Sequence, residues 1–157
     1  MKQTKLKTFA VVSACMMGML SSSAQGVMQR TANYHPDGRG FSCVNGNNRY
    51  TRALYGSVDE WRLETSDRPI FAIFKKNNHR NIRFVIKCNG QAFQLDSVEY
   101  CKARYEAGKR EYLMKDKRWG SGVLKLSVLA YPQTEGAVWK FAAENFGKAK
   151  IEIVGMI

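Results

Sequence analysis

The segment Asp116-Lys-Arg-Trp-Gly120 sets a carboxylate, two cations and an indole within four consecutive positions. A tryptophan ring offers a flat apolar plate for the C–H face of a sugar, and Lys and Arg donate to hydroxyl, carboxylate or sulfate oxygens. Trp119 is therefore the expected exposed ring, with Arg118, Lys117 and Asp116 beside it and Tyr55 as a further contact. The competing role for Trp119 is to pin its own loop. Two basic clusters accompany this segment: Lys75, Lys76, Arg80, Arg83 and Lys87, and then Lys109, Arg110, Lys115, Lys117 and Arg118. The second is interleaved with Tyr112 and Trp119, a pattern that suits a sulfated glycan or a nucleic acid. Its plainer meaning is a solvated sheet face, where Lys and Arg also discourage edge pairing.

Other chemistries find little purchase. A glycosidase needs two carboxylates facing each other across roughly 5–10 Å, and the 13 acids are scattered without a motif. The serine of Trp119-Gly-Ser-Gly122 lacks the glycine frame of a nucleophile elbow. Lone His35 and His79 with Cys43, Cys88 and Cys101 show no zinc-ligand spacing, and no phosphate-cradling glycine pattern occurs, so neither metal nor cofactor is expected. The three cysteines permit one disulfide in an oxidising compartment, with the pairing open, or three buried thiols.

The compartment is set by the start of the chain. Lys2, Lys5 and Lys7 precede an apolar run from Phe9 to Leu20, and Ser22 and Ala24 supply small residues before a cut after Ala24. These are the parts of a secretory signal, and roughly 12 apolar residues fall short of the about 20 a spanning helix needs. Cys15 also sits in a sequence resembling a lipoprotein processing box, which would tether the chain through a lipid. The leader holds three of the 25 basic residues and none of the 13 acids, leaving 22 against 13 and a net charge of +9 rather than +12. The expected division is a signal peptide over 1–24, a polar linker over 25–33 and a domain over 34–157, exported to the periplasm or outer cell surface.

The elements that must position the candidate residues read as strands. His35-Pro-Asp-Gly38 is a turn signal, and Asn45-Gly-Asn-Asn48 joins strand-like runs at 41–44 and 49–55. Trp61, Leu63 and Thr65 alternate with polar residues; a turn at Ser66-Asp-Arg-Pro69 leads into the apolar run 70–74, suited to a strand covered on both faces. Residues 75–81 read as a polar loop. Alternation returns at Ile82, Phe84 and Ile86, at Leu124, Leu126 and Val128, and at Trp139 and Phe141, placing Trp61 and Trp139 in the core. Residues 98–105 read as a strand that turns at 106–109 into a partner strand over 111–114, with a helix capped by Ser97 as the alternative. About ten short strands with frequent turns describe an all-β antiparallel sandwich. The last residues, Val154-Gly-Met-Ile157, stop inside an apolar strand pattern, so the chain is expected to be the N-terminal part of a longer protein.

Several segments resemble domain-of-unknown-function family 4450 (DUF4450): Tyr34-His-Pro-Asp-Gly38, residues 41–45, Asn48-Arg-Tyr-Thr-Arg-Ala-Leu-Tyr-Gly56, and Trp61-Arg-Leu-Glu-Thr-Ser-Asp-Arg-Pro69. Later stretches, Tyr100-Cys-Lys-Ala-Arg-Tyr105, Lys117-Arg-Trp-Gly120 and Glu135-Gly-Ala-Val-Trp139, are similar too, so the resemblance runs from about Tyr34 to Val154. It implies an exported protein of polysaccharide-degrading Gram-negative bacteria. Longer members resemble glycoside hydrolases that join an N-terminal β-sandwich to an α/α-barrel bearing the cleft. On that resemblance this chain supplies the sandwich, with an accessory or packing role, and hydrolase activity would need the barrel. No catalytic residue is implied. The alternatives are a self-sufficient glycan-binding module and a polyanion binder acting through charge.

Overall fold

A computed structural model describes residues 33–55, 60–76 and 78–157. The expected leader, its cleavage after Ala24, the lipid alternative at Cys15 and the linker up to residue 32 lie outside the described residues.

Among the described residues twelve strands form in chain order: β1 His35–Asp37, β2 Gly40–Val44, β3 Tyr50–Tyr55, β4 Trp61–Ser66, β5 Ile70–Lys75, β6 Asn78–Cys88, β7 Gln91–Gln94, β8 Tyr100–Glu106, β9 Lys109–Lys115, β10 Val123–Ala130, β11 Ala137–Glu144 and β12 Ile151–Met156. Sheet A has the order β1-β2-β8-β9-β10-β11; sheet B has β12-β6-β5-β4-β3, with β7 continuing the line of β5 along β6. Every pairing is antiparallel. The chain is an all-β sandwich, as its alternation and turn spacing require.

Two local readings change. His35-Pro-Asp-Gly38 opens a short hairpin: Gly38 at φ 61° turns the chain so that β1 lies against β2. The stretch expected as a polar loop over 75–81 is mostly strand, because β6 begins at Asn78 and pairs with β5 from its first residue. There the His79 ring stacks on Phe74 (5.6 Å between centroids), and Arg62 covers the other side of Phe74 at 4.3 Å.

The core lies between the sheets and follows the period-2 rule. Trp61, Leu63 and Thr65 of β4, Cys101 and Ala103 of β8, and Leu124, Leu126 and Val128 of β10 all point inward and are buried. Phe71 of β5 is the centre of an aromatic cluster, meeting Phe84, Tyr112 and Trp139 edge-on at 6.0, 5.8 and 5.8 Å. Such edge-to-face contacts set ring geometry beyond what area burial gives. Trp139 is only half-buried, since β11 is an edge strand.

Candidate functional site

The loop expected to carry the exposed ring is a 3-10 turn, Lys117–Trp119, between β9 and β10. Asp116 caps it: its carboxylate accepts from the Arg118 N–H at 2.9 Å, the Arg118 Nε at 2.6 Å and the Glu99 N–H at 3.0 Å. Burial alone would raise the Asp116 carboxyl, but these donors hold it down at about 2. Gly120, at φ 70°, closes the turn and returns an N–H to the Lys117 carbonyl.

Trp119 does not present a plate to solvent. The residue is 4% exposed, its indole N–H donates to the Gly122 carbonyl at 3.0 Å, and its ring stacks on Phe93 with Phe146 beside it. The correction has a simple cause. A turn capped by a buried aspartate is drawn against the sandwich, and the ring fills the gap between β7 and the 145–147 turn. Arg118 lies over Phe93 at 3.5 Å and is tied to Asp116, while Lys117 is exposed and paired with Glu99 at 2.7 Å. Tyr55 is 70% exposed, on sheet B at the end of β3. Asp116, Arg118 and Trp119 thus form one packed unit with Lys117 at its rim.

A second correction concerns Arg110. Expected within a surface basic cluster, it is 0% exposed, between the sheets. On β9 it shares the inward face with Tyr112 and Met114, so its register leaves no other direction. Its guanidinium donates to the Ser66 carbonyl at 2.8 Å and to Tyr34 Oη, and lies 3.7 Å from the Asp67 carboxylate. Tyr34 in turn donates to Asp67, Thr51 Oγ1 donates to Asp67 at 2.9 Å, and Tyr112 Oη donates to the Ser66 carbonyl at 2.7 Å. Burial raises the Tyr34 and Tyr112 hydroxyls, so both remain neutral donors. Arg68 of the same 66–69 turn donates to the carbonyls of Gly46, Asp96 and Val98. Gly46 is required here, because a Cβ would stand 2.3 Å from that of Asp67. This network bolts sheet B to sheet A.

Cys43, Cys88 and Cys101 are buried and free, which is one of the two states the sequence left open. Burial pushes the Cys101 thiol up to about 12, far from a reactive thiolate.

The chemistry facing solvent sits on the outer face of sheet A. Residues opposite each other in adjacent strands share a face, which generates cross-strand rows. One row runs Ser42, Arg104, Glu111, Ser127, Lys140; the next runs Val44, Lys102, Leu113, Lys125, Ala142. Over β8, β9 and β10 these rows enclose a shallow depression of about 240 Å³, lined by Lys102, Arg104, Glu111, Leu113, Lys125 and Ser127. Arg104 is braced by Glu106 at 2.8 Å and Glu111 at 3.2 Å, with the Glu106 carboxyl held below its usual value by that guanidinium. Lys102 pairs with Asp37 at 2.8 Å and Lys125 with Glu144 at 2.7 Å. These lysine pairs are solvated and weak, so either cation can turn to a ligand. The alternation in β8–β10 that predicts the sandwich also predicts this face, but the depression depends on which rows coincide.

Residues 78–155 match the family described as "Domain of unknown function (DUF4450)". Over that stretch the chain matches the DUF4450 family. The match spans β6 to β12 and so includes the lining of the depression, the capped turn and Arg110. The similar segments quoted between Tyr34 and Pro69 lie upstream of it. No curated protein and no solved structure matches the chain.

Proposed function

We propose that this chain is an exported accessory β-sandwich of a glycoside-hydrolase-like protein, and that it contacts a glycan across the outer face of sheet A. The observation that carries this reading is the depression bounded by Lys102, Arg104 and Lys125, with Glu111 and Ser127 as further polar groups and Leu113 between the two lysines. Leu113, flanked by the braced Arg104 and two lysines free to turn, matches the mixed C–H and hydroxyl surface of a sugar. The excess of cations favours sugars bearing carboxylate or sulfate groups. The leader and the family resemblance support an exported, polysaccharide-related setting. Trp119, Arg118 and Asp116 then serve as structure, and Lys117 and Tyr55 lie outside the contact.

Calorimetric titration of the full chain with neutral and acidic oligosaccharides tests this. The acidic sugars are expected to bind more tightly, and Lys102→Glu with Lys125→Glu is expected to weaken them by about tenfold or more, since each lost charge-assisted bond is worth about 1.5–3 kcal/mol. Unchanged affinity in that double variant would remove the outer face from the account. A binder acting through net charge alone would instead take any polyanion and lose it steeply with salt.

A further inference from the structure

The edges of the two sheets are not equally protected. An open edge is a template for another strand, and proteins blunt edges with short strands, proline, bulges or charge. The β1 edge is three residues long and contains Pro36. The β3 edge carries a register shift between Tyr50 and Arg52, and β12 is shorter, at six residues, with Gly155 among them. The β11 edge has no proline, bulge or short length and is guarded only by the charges of Lys140 and Glu144. It runs eight residues, Ala137–Glu144, in unbroken register with β10, without proline or glycine, and among the described residues pairs on one side only.

Its sequence also specifies a partner. Lys140, Ala142 and Glu144 share the outer face, with Ala142 midway between the two charges. Placing a second β11 antiparallel about a two-fold axis at Ala142 sets Lys140 of each copy opposite Glu144 of the other. The same operation sets the inward Phe141 of each copy opposite Ala143 of the other, a large residue against a small one. Centring the axis on Lys140 or on Glu144 would oppose like charges; centring it on Phe141 or Ala143 would leave both charges without a partner opposite. Among the described residues Lys140 makes no ion pair, and Glu144 is held by Lys125 at 2.7 Å on the far side from the open edge.

We infer that two copies of this chain associate through antiparallel pairing of β11 centred on Ala142, joining two A sheets into one. The contact is isologous, so it closes as a dimer rather than growing into a filament. Backbone hydrogen bonds supply affinity, and the two symmetry-related Lys140–Glu144 pairs select the register.

Sedimentation of the full chain over a rising concentration series is the test, with far-UV circular dichroism to confirm that each variant is folded. The native chain is expected to pass to twice its single-chain mass. Lys140→Glu, at an exposed position, is expected to weaken the dimer by about tenfold, because two attractive cross-strand pairs become repulsive. Glu144→Lys should do the same, and the double variant Lys140→Glu/Glu144→Lys should restore association to within about threefold of native. A native chain that keeps single-chain mass throughout would overturn the inference. So would a dimer insensitive to Lys140→Glu, or a double variant no better than the single ones.

Discussion

Arg110 shows how far the meaning of one side chain depends on register. By composition it is one of 25 basic residues and belongs to a cationic cluster. By position on β9 it points between the sheets, where a guanidinium is tolerated only with partners. The Ser66 carbonyl, Tyr34, Tyr112 and the nearby Asp67 supply them. Removing one member of a buried pair leaves the other charge uncompensated, a loss of about 3–5 kcal/mol. Arg110→Ala is therefore expected to lower the urea midpoint of unfolding by that much stability, whereas Lys109→Ala, one residue away on the outer face, should change it by less than about 1 kcal/mol. Equal effects from the two would contradict the buried network. Along β9, Arg110, Tyr112 and Met114 alternate with Lys109, Glu111 and Leu113. The sequence could not say that an inward arginine would find its acceptors, because those come from a turn over 40 residues earlier.

At the scale of the element, the 3-10 turn at Lys117–Trp119 shows a local signal read to the wrong end. Asp116 is an N-cap by residue type and by geometry. That capping is what turns Trp119 inward onto Phe93 and Phe146. Because the folded carboxyl lies at about 2, below an unfolded aspartate, its contribution is complete above about pH 4 and is lost as pH falls toward about 2. Asp116→Asn is expected to lose about 2 kcal/mol at neutral pH and to flatten the acid limb of stability between those values. A variant whose thermal midpoint tracks the native one at both pH 7 and pH 3 would exclude that role. Strand elements were more legible than this turn. β4, β10 and the inward half of β9 follow strict alternation, while β6 extends through residues that are polar by composition because β5 supplies a complete hydrogen-bonded partner.

At the scale of the molecule, the two sheets are joined by an aromatic cluster around Phe71 and by the polar network at the 66–69 turn. Both reach across the interlayer, so neither sheet keeps its core alone. Phe71→Ala is expected to cost about 3–5 kcal/mol, with circular dichroism and tryptophan fluorescence giving one coincident urea transition; separated transitions would mean that the sheets unfold independently. The sequence by itself determined the all-β class, the inward and outward identity of most strand residues, the main turns and the core position of Trp61, whereas Trp139 faces inward but is only half-buried. Period-2 alternation and turn residues are local properties, and each acts within a few positions. Only the tertiary structure decided that Arg110 is a core residue, that Trp119 is packed, that Lys102, Arg104 and Lys125 border one depression, and that β11 is left as an open edge. Those outcomes depend on which strands lie side by side, and strand order is fixed by contacts between residues far apart in the chain.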